Sequence, residues 1–272
     1  MSAADDFLFP PDSQIWRLSR EHALLLGGPA AAILQVAHPE VAAGVAAHSE
    51  FRADALGRLR RTLDAVYTIT FATRAEADAM SRRIAAIHAK VRGAHPVPYD
   101  AFSPAAQMWV LATLIGVGTW VFEQVGFSLT EAQRAAHYRD MRVFGQCFEL
   151  ASDYGPQTVT EFREYYAATL NGPELALNGP ELASIPLCRE VAWAVAVPPA
   201  PAWLRLGSMP FVGLVAETLP SPVRERLGFR STPVSRAAFA LARTSLRVAL
   251  PLLPAQLRFT RQYLEARRRA TD

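Results

Sequence analysis

Residues 54–93 read DALGRLRRTLDAVYTITFATRAEADAMSRRIAAIHAKVRG, and their pattern decides the fold class. Asp54 offers an N-cap to a helix over 54–72, and Thr73 offers another to a helix over 75–92 that Gly93 ends. In the second helix Ala77, Met80, Ile84, Ile87 and Val91 recur at helical spacing and define one buried face.

The same signals extend in both directions. Upstream, Asp12 and Ser13 can cap a helix over 13–26 that Gly27-Gly28-Pro29 stops, and further helices fit 29–36 and 39–47. Downstream, Ser103 and Pro104 open a helix over 104–124. Thr130 starts one running to 151, Thr160 caps 161–170, and 184–197, 208–218, 221–227, 233–250 and 254–269 complete the set. Both Asn-Gly pairs precede proline and join no alternating runs, so strand signals are nearly absent. The expectation is an all-α chain folded as a single multi-helix domain over 1–272. With 51% hydrophobic residues it has ample material for one core. LNGPELA occurs twice, at 170–176 and 177–183, too few copies for a solenoid and suited to an insertion-tolerant surface loop. The proline-rich stretch 197–201 resembles a linker, but its flanks are too apolar to be independent domains.

Composition removes several functions. The formal charge is +3, Lys90 is the only lysine, and the densest basic run is Arg267, Arg268 and Arg269, so no nucleic-acid partner is expected. Cys147 and Cys188 belong to no CxxC motif or Cys/His cluster, which excludes thiolate zinc and iron–sulfur sites and fits a reducing cytoplasm. The N-terminus is acidic and broken by Pro10 and Pro11, unlike a signal peptide, so a cytoplasmic location is expected. Residues 101–122 carry no charge and are just long enough to cross a bilayer, but Gln107, Gly116 and Gly118 dilute them and no basic flank marks an inside face. A helix buried on all sides is the preferred reading, with peripheral membrane contact left open. There is no HExxH, GxSxG, GxGxxG or Walker sequence.

Two constellations can carry chemistry. His88 lies four residues beyond Ile84, on the apolar face. It is either a core histidine bonded to a carbonyl, the commoner case, or an axial ligand to a haem iron. Arg58, Arg61 and Thr62 share a face of the preceding helix at i, i+3 and i+4, continued by Ala65, Val66 and Ile69. They are either ordinary surface groups or cations for haem propionates with a hydroxyl for dioxygen.

The chain resembles the haem-dependent oxygenases that group the rubber oxygenases (latex-clearing proteins) with the mpaB-type oxygenases. The resemblance runs from about Ile15 to Leu227. It rests on WRLSREHALLLGGPAAAILQVAHPEVAAGVAAHSEF, RLRRTLDAVYTITFATRAEA, IHAKVRG, SPAAQMWVLATL and LPSPVRERLGF in that order. It implies a globin-like helical core around haem b (iron), with His88 as metal ligand. Arg58 and Thr62 match the family's R-x-x-K-T, with Arg61 where the lysine stands, as cofactor-binding and catalytic residues. Leu111 stands where many relatives carry histidine. The implied partners are dioxygen and a small apolar, prenyl-like or natural-product substrate, with Trp109 and Phe71 as pocket walls. His38 and His48 are the reserve iron ligands, His95 suits a pocket rim, and His22 and His137 are expected to face solvent. A haem- or lipid-binding module without turnover is the rival reading.

Overall fold

The computed structural model describes residues 6–48, 55–172, 185–197 and 209–271, and of residues 55, 56, 58, 59 and 185 the backbone alone. Asp54, the second LNGPELA copy and most of the proline-rich stretch lie outside the described residues. The rest is all-helical. The helices are α1 (Gln14–Ser19), α2 (Gly28–Val36), α3 (Pro39–His48), α4 (Ala55–Phe71), α5 (Arg74–His88), α6 (Pro104–Gln124), α7 (Glu131–Gln146) and α8 (Val159–Asn171). They continue as α9 (Ile185–Ala196), α10 (Met209–Thr218), α11 (Ser221–Leu227), α12 (Pro233–Ala249), α13 (Ala255–Arg258) and α14 (Arg261–Thr271). Short 3-10 turns cover His22–Gly27 and Leu250–Leu252, and β1 (Arg92–Gly93) pairs antiparallel with β2 (Tyr99–Asp100).

Capping explains why most expected starts are the observed ones. Thr73 and Thr130 each accept the backbone N–H three residues on, while Glu76 and Gln133 reach back to the cap N–H. The cap of α8 is Thr158 rather than Thr160, because Thr158 accepts from Glu161 N. The expected helix over 130–151 stops at Gln146, followed by Glu149 at φ 68°. The expected helix over 75–92 stops at His88, where the chain enters β1.

α6 is the axis of the fold. It packs on the 3-10 turn at 22–27 and on α1, α2, α7 and α8. Met108, Trp109, Leu111, Ile115, Val117 and Val121 are buried along it. By length and composition α6 could cross a membrane, but its neighbours are protein and 61% of its apolar window is buried. Trp109 also donates from Nε1 to Leu34 O at 2.8 Å, which locks α6 to α2.

Both expected end helices break where they meet. Glu21, 1% exposed, interrupts the first one and accepts from Arg258 Nε and Nη2 at 2.9 Å each. Glu21 and Phe259 form a β-bridge, and Thr260 N donates to Arg20 O at 2.8 Å, which divides α13 from α14. α14 then packs on α4. Tyr263 completes an edge-to-face cluster with Trp16 and Phe71, and Arg269 pairs with Glu76.

Candidate functional site

The α4–α5 hairpin carries both constellations. Its capping box reverses the chain within Ala72–Thr73 and lays α5 back along α4. Counting about 1.5 Å per residue from that link puts His88 roughly level with Arg58, and Thr62 about a turn nearer the link. Arg61 and Thr62 are exposed, Ala65 and Val66 are half-buried, and Ile69 is fully buried, so the motif sits where the helix leaves the core. The Arg58 side chain lies outside the described residues.

His88 is half-buried, and its Nδ1 is buried without a hydrogen-bond partner. Its ring meets Phe102 edge-on, with centroids 6.2 Å apart. Desolvation lowers its pKa, which holds the imidazole neutral, the form a metal requires. A core histidine normally satisfies both nitrogens, and this one leaves Nδ1 unsatisfied. Ala77 and Ile84 are buried as expected, while Ile87 is 56% exposed.

A cleft of about 220 Å³ opens at the N-terminal end of α6, the end that Phe102 joins to His88. Ala105, Met108 and Trp109 line one side of it, Tyr165 and Thr169 of α8 another, and Tyr154, Gly155 and the buried His38 complete it. Gly155, at φ +75°, is required there: a Cβ would fall 2.8 Å from Met108 Sδ. Thr169 is 2% exposed, and its Oγ1 is buried without a partner. Trp109 lines this cleft and stacks on Tyr166 at 5.8 Å. Phe71 does not line it; it belongs to the cluster of Trp16, Tyr67 and Tyr263. Sequence reading missed Met108, Tyr154, Tyr165 and Thr169, which come from three separate segments. The i, i+4 pair Tyr165 and Thr169 on α8 was the one signal available.

The remaining histidines divide clearly. His48 Nε2 lies 3.0 Å from Tyr99 Oη, His95 is exposed in the β1–β2 loop, and His22 is exposed with Nδ1 3.1 Å from Leu257 O. His137 overturns its solvent-facing expectation. It is buried on α7, the helix wedged among α1, α6 and α8, and desolvation pulls its pKa down to about 4. The folded value lies below the unfolded one, so stability falls as acid protonates the unfolded chain from about pH 6.5 down to about 4. The full loss is about 3 kcal/mol. His137→Leu is expected to flatten that part of the pH–stability curve measured by urea unfolding; an unchanged slope would refute the assignment. Leu111 is buried against Gly145 and fills core space there.

Among the described residues no three His, Cys, Asp or Glu side chains are grouped to hold a bare metal ion. The hairpin thus presents one neutral imidazole in contact with Phe102, and the separate cleft at the start of α6 has aromatic walls. No curated protein and no solved structure shows a significant match to the chain. A family model described as ER-bound oxygenase mpaB/B′/rubber oxygenase, catalytic domain, matches residues 16–248. The chain belongs to that family of oxygenase catalytic domains.

Proposed function

We propose that this protein is a haem b-dependent oxygenase, with a globin-like helical core, that oxidises a small apolar, prenyl-like or natural-product substrate with dioxygen. Family membership supports the oxygenase, and the observation that carries the cofactor is His88: a neutral imidazole whose buried Nδ1 has no protein partner. The residues present fit a haem, which asks the chain for one such ligand rather than a cluster. When bound, the haem would supply an iron centre that activates dioxygen for attack on a carbon–carbon double bond.

The chain's own groups have separable tasks in this reading. His88 holds the iron. Arg58 and Arg61 offer cations to the propionates at the open end of the hairpin. A guanidinium offers no lone pair to a metal, so Arg61 cannot ligate as a lysine can. Thr62 contributes a hydroxyl. Met108, Trp109 and Tyr165 bind an apolar chain and exclude water, while Thr169 and His38 give the cleft its polar contacts.

Protein purified with haem supplied is expected to show a b-type pyridine haemochrome, because no CxxCH sequence exists to attach haem covalently. Arg58→Ala and Thr62→Ala are expected to keep the melting temperature but lower oxygen reactivity at least about tenfold. Colourless protein that refuses haemin would overturn the cofactor. Variants that turn over like wild type would overturn the roles of Arg58 and Thr62.

A further inference from the structure

The cleft at the start of α6 holds a polar group that the protein itself does not use. Thr169 lines it, is 2% exposed, and has an Oγ1 buried without a partner. A hydroxyl inside a helix ordinarily donates to a carbonyl one turn back. Others in this chain do so: Ser81 to Ala77 O, Thr113 to Val110 O, Thr218 to Val215 O and Thr244 to Ala240 O. Thr169, in the last turn of α8, does not, although an unbonded hydroxyl out of water is costly. Thr70 is also buried without a partner but is not among the residues that line the cleft.

The walls narrow the kind of molecule that would meet this hydroxyl. Met108, Trp109, Tyr154 and Tyr165 supply three aromatic side chains and a thioether, surfaces suited to a flat ring. Trp109 is fixed in advance: its Nε1 donates to Leu34 O, and its ring is stacked on Tyr166. Tyr166 lies so close to α6 that a Cβ at Gly116 would fall 2.6 Å from its Cζ. Among the described residues that line the cleft there is no Asp, Glu, Lys or Arg. Arg142 lines a smaller hollow that shares Met108 and Tyr154 with the cleft, but its guanidinium donates to the Ser152 and Pro156 carbonyls. A carboxylate or phosphate would therefore lose its water without gaining a cation, which favours a neutral ligand. Size narrows the choice further. An apolar cavity of about 150 Å³ holds benzene, so a cleft of about 220 Å³ accepts one substituted ring. Ala105 and Tyr154 are exposed, so a longer tail can leave on their side.

We propose that this cleft binds a neutral monocyclic phenol carrying an apolar tail, its ring against Met108 and Trp109 and its O–H donating to Thr169 Oγ1. The binding site rests on the cleft alone, while the ligand's being the substrate rests on the oxygenase reading above.

Calorimetric titration of the full chain, with haem supplied and without it, tests the site with 4-ethylphenol, ethylbenzene and 4-ethylbenzoate. The phenol is expected to bind about tenfold tighter than ethylbenzene, the size of one neutral hydrogen bond, and the benzoate more weakly than either. Thr169→Val is expected to erase the preference for the phenol and leave ethylbenzene binding unchanged. Its melting temperature is expected to hold or rise, because the hydroxyl it removes bonds nothing in the protein. Ala105→Trp, at the exposed rim, is expected to abolish binding of both aromatic ligands with an unchanged melt. A phenol that binds no tighter than ethylbenzene, or a preference that survives Thr169→Val, would overturn the proposal. So would a benzoate that binds as tightly as the phenol, which would reveal a cation in the cleft. Haem that expels the phenol and is itself blocked by Ala105→Trp would assign the cleft to the cofactor and overturn it as well. A chain that refuses haemin yet binds 4-ethylphenol through Thr169 would sink the haem reading and leave this site standing.

Discussion

His88→Ala is expected to lose most of its haem while keeping its helical content. Two lines meet at this residue. Helical periodicity puts it on the inward face of α5 with Ala77 and Ile84, both buried. The structure then leaves its Nδ1 buried without a protein partner, in an environment that keeps the ring neutral. A structural histidine has a bonded partner that its removal orphans, at a cost of about 1–3 kcal/mol. No such partner faces Nδ1, so truncation is expected to shift the melt by less than about 1 kcal/mol. Haem affinity is expected to fall about a hundredfold, equivalent to about 2.8 kcal/mol. The reading is the ratio of Soret to protein absorbance after gel filtration, beside the far-ultraviolet circular dichroism spectrum. Added imidazole should restore part of the Soret band. Stoichiometric haem with an unchanged spectrum in the variant would place the ligand elsewhere, and His38 and His48 are the next substitutions to make.

Arg258→Ala is expected to destabilise the fold by about 3 kcal/mol, which for a chain of this size lowers the melting temperature by roughly 6–10 °C. The cost arises from what is left behind rather than from what is removed. Glu21 is 1% exposed, and Arg258 supplies two of its donors in a bidentate pair. Arg20 Nε lies 3.3 Å from Glu21 and keeps part of the charge compensated, which holds the loss near the lower end of the range for an orphaned buried ion. The Arg258 guanidinium also lies over Phe127 and Phe259, at 5.2 and 5.0 Å from the ring centres, and those contacts go with it. Glu21→Leu combined with Arg258→Leu is expected to recover much of the loss, because the double replacement removes the buried charge itself. A single variant that melts like wild type would show that Glu21 finds another partner.

The helices were legible in the sequence because their ends carry chemical signals. Thr73 with Glu76, Thr130 with Gln133 and Pro104 each mark a start that the backbone obeys. The two broken end helices share a cause. Where a long helix was expected over 13–26 or 254–269, a distant partner breaks it, and neither Glu21 nor Thr260 announces in its own neighbourhood that it pairs across the chain. The α4–α5 hairpin was legible for the same local reason, which put His88, Arg58 and Thr62 on one supersecondary unit. The cleft was not, since four segments meet there only after packing. His137 was misread because Arg134 and Arg139 beside it in sequence suggested water, while the ring is buried on α7, which packs against α1, α6 and α8.

The closing of the aromatic cluster has a consequence in time. Trp16 and Phe71 emerge early from a ribosome, but Tyr263, which completes their cluster, follows roughly ten to fifty seconds later at ordinary synthesis rates. Until then the nascent chain exposes the apolar faces of α1 and α4 that α14 will cover, and Glu21 waits without Arg258. Closure of so long a loop is slow, so the unfinished chain is the species most open to aggregation and the one a chaperone has reason to hold.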